Sequence, residues 1–471
     1  MAQHSNQLLE AISVPKNAKH ARAVPDAATG QTFAYVEEST VADLDNAIER
    51  AKAAQKDWAA LSHAQRSAIL RRAADEVEEH LEELARIIAQ EQGKPINGFG
   101  ARFEAGGCAV WIRSAAETVI EPEVVFEAGD SKSEIHYVPL GVVGAISPWT
   151  WPALIAIWQI APALRMGNTV VAKPSEYTPL SVLAVIELMN RHLPEDVLIG
   201  ISGGREIGAA LAAHKDVAKV MFTGSTNTGR EIVKASANNL ARLTLELGGN
   251  DPGIVLPGAD VKALAPAIFG GAFSNTGQTC AALKRLYVHE SVYDDLVAEL
   301  KTLADAAVVG PGLDEKSEVG PLTTKQQFDI VRTLVKDAKK NGGKIVAGGN
   351  PLPKLGPHFF EPTIVTDVTD GVALVDVEQF GPVLPVIRYR DVDLVIDQAN
   401  ASLQALGASV WGDRERALQV AEKIESGTVW INQHGSLNPV VPFGGVKGSG
   451  YGLEFGVQGL KAVAAPKVIT V

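Results

Sequence analysis

Cysteine is nearly absent from this chain, with two residues in 471. That is too few for a disulfide framework and suits a reducing cytoplasm, where a solitary thiol is either buried filler or chemistry. Metal-ligand spacing is missing too: there is no His-x-x-x-His or Cys-x-x-Cys pattern and the ten histidines are scattered, so no metal is expected. Long apolar runs are lacking as well. The most apolar stretch, residues 151–166, carries Pro152, Gln159 and Pro162; it is too short to cross a bilayer as a straight helix and reads as a buried one. Residues 1–10 are polar, without a basic segment followed by an apolar one, so no signal peptide is expected and the chain reads as soluble and cytoplasmic. Positive charge is in short supply. A net charge of −12 argues against nucleic acid and anionic membranes as partners and leaves small molecules.

What is present is apolar mass in a regular order. With 46% hydrophobic residues over 471 positions, two or three packed domains are expected. From residue 41 to 93 apolar positions recur at helical spacing, with Leu81, Leu84, Ile87 and Ile88 on one face. Runs at 123–126 and 133–138 flank Gly129-Asp130, the composition of a β-hairpin and a natural oligomer contact. Strand-like runs at 142–147, 169–172, 197–201, 219–222 and 243–247 then alternate with helical ones at 152–165, 180–191, 207–212 and from 227. That alternation predicts a parallel, doubly wound sheet. A second α/β unit follows from Asn250, with a helix at 261–273, a strand at 285–288 and amphipathic helices near 291–306 and 324–340.

Three segments carry chemistry. Residues 222–229, Phe-Thr-Gly-Ser-Thr-Asn-Thr-Gly, end a strand and open a helix, which gathers free N–H groups and a positive dipole end at Thr223, Gly224, Ser225 and Gly229. The text is not G-x-G-x-x-G, so phosphate binding and an ordinary strand-to-helix turn both remain open. Lys173 and Glu176 lie just past the strand at 169–172, at the carboxyl end of the sheet, where such folds bind ligands. They are suited to ribose hydroxyls, or are two loop charges. Cys280 closes the polar turn 275–280 behind a helix, so its thiol is expected to be exposed, and a helix end or a cation nearby can lower a thiol pKa. Buried filler is the alternative for Cys280, and it is the reading kept for Cys108 among its apolar neighbours. Glu246 ends a strand before Gly248-Gly249, as a general base for water or as a surface carboxylate.

Six motifs in order, at 148–152, 222–225, 246–249, 277–280, 378–382 and 442–445, make the chain similar to the aldehyde dehydrogenase superfamily over most of its length. The resemblance implies an α/β fold in three parts: a Rossmann-type cofactor domain (1–119 and 140–248), an α/β catalytic domain (249–461) and a small β oligomerisation arm (120–139 and 462–471) of a homodimer or homotetramer. It implies that the Cys280 thiolate attacks an aldehyde to give a thiohemiacetal, which loses hydride and becomes a thioester. Glu246 matches the base that hydrolyses that thioester, which favours a free carboxylic acid over acyl transfer to coenzyme A. Ser147, Trp149, Lys173, Glu176, Thr223, Gly224, Ser225, Gly229, Glu378 and Phe380 match cofactor positions. A carboxylate at Glu176 accepts from a ribose 2′-hydroxyl and repels a 2′-phosphate, so NAD is expected over NADP.

One position departs from the family pattern. Thr150 stands where the family carries the Asn whose amide joins the nucleophile's own N–H in holding the oxyanion, so an impaired chemical step is expected. Trp151, Trp158 and Phe443 match substrate positions, with Thr279, Ser274, Ala281 and residues 434–438 expected to shape the rest. No Arg or Lys is among them, so the expected substrate is an aromatic or medium aliphatic aldehyde. Two rival readings are a binding or structural protein that keeps the fold with little catalysis, which only Thr150 supports, and a thioester hydrolase without a redox step.

Overall fold

The computed structural model describes residues 7–471, so residues 1–6 of the polar N-terminal segment lie outside the described residues. Two large sheets organise the rest. The first has six strands in the order Gly450–Tyr451, Arg242–Glu246, Val217–Thr223, Val142–Ile146, Thr169–Lys173, Leu198–Gly200. Its pairs are parallel except at Gly450–Tyr451. Every residue of Val142–Ile146 and Thr169–Lys173 is buried, as strands covered by helices on both faces must be. The expected alternation from 142 to 247 is therefore present, with boundaries shifted by at most two residues. The helix Pro152–Arg165 is buried along its whole length, which is why its sequence lacks a polar face.

The second sheet has seven strands, in the order Lys344–Ala347, Thr363–Thr366, Val383–Tyr389, Leu283–His289, Asp251–Val255, Gly407–Trp411, Thr428–Ile431. It is parallel apart from its first pair. The helices Val261–Phe273, Tyr293–Ala306 and Lys325–Lys340 fall where the spacing predicts them. A third, antiparallel sheet joins the hairpin strands Glu123–Ala128 and Ser131–Pro139 to the last strand, Ala464–Thr470.

Most elements beyond residue 340 escape the sequence pattern, and three features that escape it shape the fold. One is the strand pair Ala21–Pro25 and Thr32–Glu37. Another is the helix Ala101–Glu117, whose Gly106, Gly107 and Cys108 depress helix propensity. Gly107 serves packing instead: a Cβ there would lie 3.1 Å from Leu154 of the buried helix. The third is the return of the chain at Gly450–Tyr451, which pairs with Leu245 and Glu246 at the edge of the first sheet. Among the described residues no helix is long and apolar enough to cross a membrane.

Candidate active site

The segment Leu247–Asn250 connects the two large sheets, and its glycines are dictated by crowding. A Cβ on Gly248 would sit 2.5 Å from Glu378 Oε2, and one on Gly249 would sit 2.6 Å from Asp251 Oδ1 and 2.7 Å from the Cys280 carbonyl oxygen. The strand ending at Glu246, the Glu378 loop and the Cys280 turn thus meet at one point.

The Cys280 turn is built under strain. Asn275 and Thr276 both adopt left-handed backbone angles, φ +53° and +59°, which are unfavourable for a β-branched threonine. Reciprocal hydrogen bonds offset this, as the Thr276 hydroxyl donates to Gly320 O (3.1 Å) and accepts from Gly320 N (3.1 Å). Asn275 Nδ2 donates to Thr150 O (2.8 Å) and Gln278 O (3.0 Å), fastening the Cys280 turn to the Thr150 turn. The Trp151 indole N–H does the same through Thr279 Oγ1 at 2.9 Å.

Behind the Thr150 turn lies a buried ion pair that sequence reasoning missed. Lys94 Nζ donates to Glu104 Oε2 (2.5 Å) and Thr150 O (3.0 Å) and lies 3.5 Å from the Trp151 ring centroid. Glu104 Oε1 accepts from the N–H groups of Ala153 and Leu154, capping the buried helix that Trp151 opens without a side-chain cap of its own. Burial pulls the Lys94 ammonium down to about 8 against the pull of Glu104.

A cleft of about 1330 Å³ runs along the carboxyl ends of the first sheet to Cys280. Ser147, Trp149, Thr150, Lys173, Glu176, Thr223, Gly224, Ser225, Glu378 and Phe380 all line it. Gly229 stands behind the lining, on the helix Thr226–Ser236, where a Cβ would strike Leu247 at 2.7 Å, so its absence lets helix and sheet close up. Ser225 caps that helix by accepting from Thr228 N at 3.2 Å. The Ser147 hydroxyl is buried with no partner. A helix N-terminus, an orphan hydroxyl and the Lys173–Glu176 pair at the far end fit the diphosphate and ribose groups of a dinucleotide. Burial draws Lys173 down to about 8, opposed by Glu176.

The residues expected to meet substrate, Trp151, Trp158, Thr279 and Phe443, lie outside the lining of that cleft. Trp158 and Phe443 pack with Trp111 and Phe455; Trp158 and Phe455 meet edge to face at 4.8 Å and Phe443 stacks on Phe455 at 6.1 Å. Cys280 packs against the same apolar cluster as Trp151, Trp158 and Phe443 while also lining the cleft.

The surroundings of Cys280 differ from the exposed, acidified thiol suggested by its polar turn. The residue is half-buried, and burial pushes its thiol up to about 12. The charges of Glu246, Asp251 and Glu378 push in the same direction, and Lys284 opposes them. Glu246 is no surface carboxylate: it is 3% exposed and neither oxygen has a hydrogen-bond partner. Burial and then the charge of Glu454 hold it well above the ordinary carboxylate range. Glu454, equally buried and unpaired, is raised to about 8 by burial, with Lys219 opposing. A lone glutamate in glycine-rich text gives no sign of this pairing; the Phe443–Glu454 bridge brings it there.

Residues 14–469 match the aldehyde dehydrogenase family model. The chain belongs to the aldehyde dehydrogenase family. It is 39% identical over 453 residues to the phenylacetaldehyde dehydrogenase of Pseudomonas fluorescens, covering 92% of this chain and 89% of that protein. Among solved structures it resembles an aldehyde dehydrogenase from Brucella melitensis biovar abortus 2308 with a TM-score of 0.95 at 33% identity, covering 100% and 99% of the two chains. An NAD+ complex of aldehyde dehydrogenase from Bacillus cereus follows at TM-score 0.89 and 35% identity, covering 96% and 93%. This aldehyde dehydrogenase therefore has the α/β fold that its motifs imply. Among its described residues, no group of three or more His, Cys, Asp and Glu is arranged to hold a metal ion.

Proposed function

We propose that this enzyme oxidises an apolar, preferably aromatic, aldehyde to the free acid with NAD, using Cys280 as nucleophile and Glu246 as general base. The observation that carries the reading is the place of Cys280: it lines the cleft and packs against the apolar core that contains Trp151, Trp158 and Phe443. Lys173 and Glu176 would hold the adenosine ribose, Ser225 and its helix N-terminus the diphosphate, and Glu378 with Phe380 the nicotinamide end. Bound there, NAD supplies the hydride acceptor. An acidic side chain at Glu176 favours the 2′-hydroxyl over a 2′-phosphate.

Cys280 Sγ bonds to the carbonyl carbon, the carbonyl π electrons move to oxygen, and the thiol proton leaves toward a base. Because burial keeps the thiol protonated, addition and proton loss must be concerted or closely sequential. After oxidation the acyl group remains on Sγ as a thioester. Glu246, once ionised, takes a proton from water, whose oxygen attacks the acyl carbon; the thiolate leaves and the acid is released. The desolvated site that raises Glu246 also makes it a strong base when it does ionise.

Support for an apolar substrate is the Trp111, Trp158, Phe443 and Phe455 cluster, together with the relative named for phenylacetaldehyde. Thr150 in place of the amide donor leaves the nucleophile's own N–H to hold the oxyanion, which slows addition. The three-stranded sheet carries exposed Val124, Val125, Phe126, Val468 and Ile469, apolar surface that fits burial between subunits of a homodimer or homotetramer. NADH formation over a panel of phenylacetaldehyde, benzaldehyde, hexanal and succinic semialdehyde, with NAD and NADP in parallel, tests substrate and cofactor together. Fastest turnover of the succinic semialdehyde, or a preference for NADP, would overturn the corresponding part.

A further inference from the structure

Lys284 is a buried cation that none of the six motifs includes. It is the second residue of the strand Leu283–His289, and its side chain is 2% exposed. An ammonium has three N–H donors and no acceptor. Here all three have partners: Thr279 O at 2.8 Å, Cys280 O at 2.5 Å and Glu378 Oε1 at 3.0 Å. The same Glu378 oxygen also accepts from Gly249 N at 3.2 Å. Three protein groups thus fix one charge without help from water.

The consequence follows from peptide geometry. The Thr279 carbonyl and the Cys280 N–H belong to one planar trans unit, in which C=O and N–H point in opposite directions. Clamping the oxygen therefore aims the N–H. Among the described residues that N–H has no hydrogen-bond partner, whereas the Thr279 oxygen has a second one, Ala282 N at 3.1 Å. A cation on the carbonyl oxygen also polarises the amide and strengthens its N–H as a donor. With Thr150 in place of the amide donor, the aim of this N–H matters more.

We propose that Lys284 is the positioning residue of the oxyanion site: by clamping the carbonyls of Thr279 and Cys280 it fixes the peptide plane carrying the Cys280 N–H, and by pairing with Glu378 it ties that plane to the cofactor cleft. The inference rests on Cys280 being the nucleophile. It does not make Lys284 a catalytic residue, because the ammonium reaches the reaction through the backbone. The direction in which Lys284 acts on the thiol, opposite to that of the three carboxylates, adds a separate effect of charge.

The test separates charge from aim. Alkylation of Cys280 by iodoacetamide needs a thiolate but forms no oxyanion; single-turnover NADH formation needs both. Lys284→Met keeps the side-chain length and removes charge and donors. Lys284→Gln keeps neutral donors for the carbonyls, and stands in if the Met variant does not fold. Across a pH series from 7 to 9, Lys284→Met should slow alkylation about tenfold, as one unit of thiol pKa requires. Single-turnover NADH formation with saturating NAD and aldehyde should fall at least a further tenfold. The Gln variant should recover part of that second loss and little of the first. Equal losses in both assays, no loss in either, or a Gln variant no faster than Met in NADH formation would each overturn the proposal. Cys280→Ala is the parent control. If it still forms NADH, the nucleophile reading falls and takes this inference with it; if it does not, a failure of the Lys284 comparison is a failure of the inference alone.

Discussion

Cys108 and Cys280 are both thiols pushed upward by burial, yet their neighbourhoods are built for different ends. Cys108 lies in mid-helix with no exposed surface, and a lysine–glutamate pair stands beside it: Glu104 pushes its thiol further up and Lys94 pulls it down. Those charges are spent on structure, holding the Thr150 carbonyl and the start of a helix. Cys280 closes a strained turn lining a large cleft, faced by Glu246 and Asp251, whose carboxylates have no hydrogen-bond partners, and by a cation bonded to its own carbonyl. Burial alone therefore does not separate the thiol assigned to packing from the one proposed to react. What differs is access to a cleft and the presence of groups left unsatisfied, which cost stability and are tolerated where they do chemistry.

The comparison can be broken by experiment. Cys280→Ala should lower NADH formation by at least about 10⁴-fold, with binding of NAD retained by fluorescence quenching; turnover within tenfold of the parent would end the distinction. Thr150→Asn restores a second oxyanion donor and should raise single-turnover hydride transfer by about 10²- to 10³-fold. Equal rates would mean that the buried Cys280 site does not depend on that donor.

A finer test concerns the carboxylates. Glu246 must lose its proton to act on water, and the charge of Glu454 opposes that loss. Glu454 itself ionises near 8, so its charge is felt as pH rises through about 8 and is nearly absent at pH 6. Glu454→Gln removes the repulsion and lowers the Glu246 pKa, so acyl-enzyme breakdown should quicken by about tenfold at pH 8.5 and little at pH 6. A pH profile that does not move would take Glu454 out of the mechanism. The smallest effect belongs to the other thiol: Cys108→Ala leaves a small cavity, costing about 1–2 kcal/mol in denaturant unfolding, with kcat unchanged. A tenfold fall in kcat would give Cys108 a role beyond packing.

How much of this was legible in the sequence depends on the range of the interactions. The helix Pro152–Arg165, the strand alternation from 142 to 247 and the cap at Ser225 are local, and their periodicity and turn residues appear in a short window. The proposed cofactor and nucleophile positions could be named because motifs mark them, and all but Gly229 among the proposed cofactor positions line one cleft. Lys284, Glu454 and the Lys94–Glu104 pair were not legible. Lys284 looks like one more strand residue until its chain position is set against the carbonyl of Cys280, four residues earlier. Glu454 needs the return of the chain beside the Glu246 strand, a contact with no trace in local composition.

The sequence by itself determined many of the elements before residue 340, which family the chain resembles and which side chains are chemically able to act, because propensity, periodicity and motif spacing are properties of neighbouring residues. Only the tertiary structure decided what state those side chains are in. The thiol of Cys280 is raised rather than lowered, Glu246 is buried and unpaired, and a lysine outside every motif holds the backbone of Cys280. These outcomes depend on desolvation and on charges brought together from the two large sheets and the loops between them, and both are set only when the chain has closed on itself.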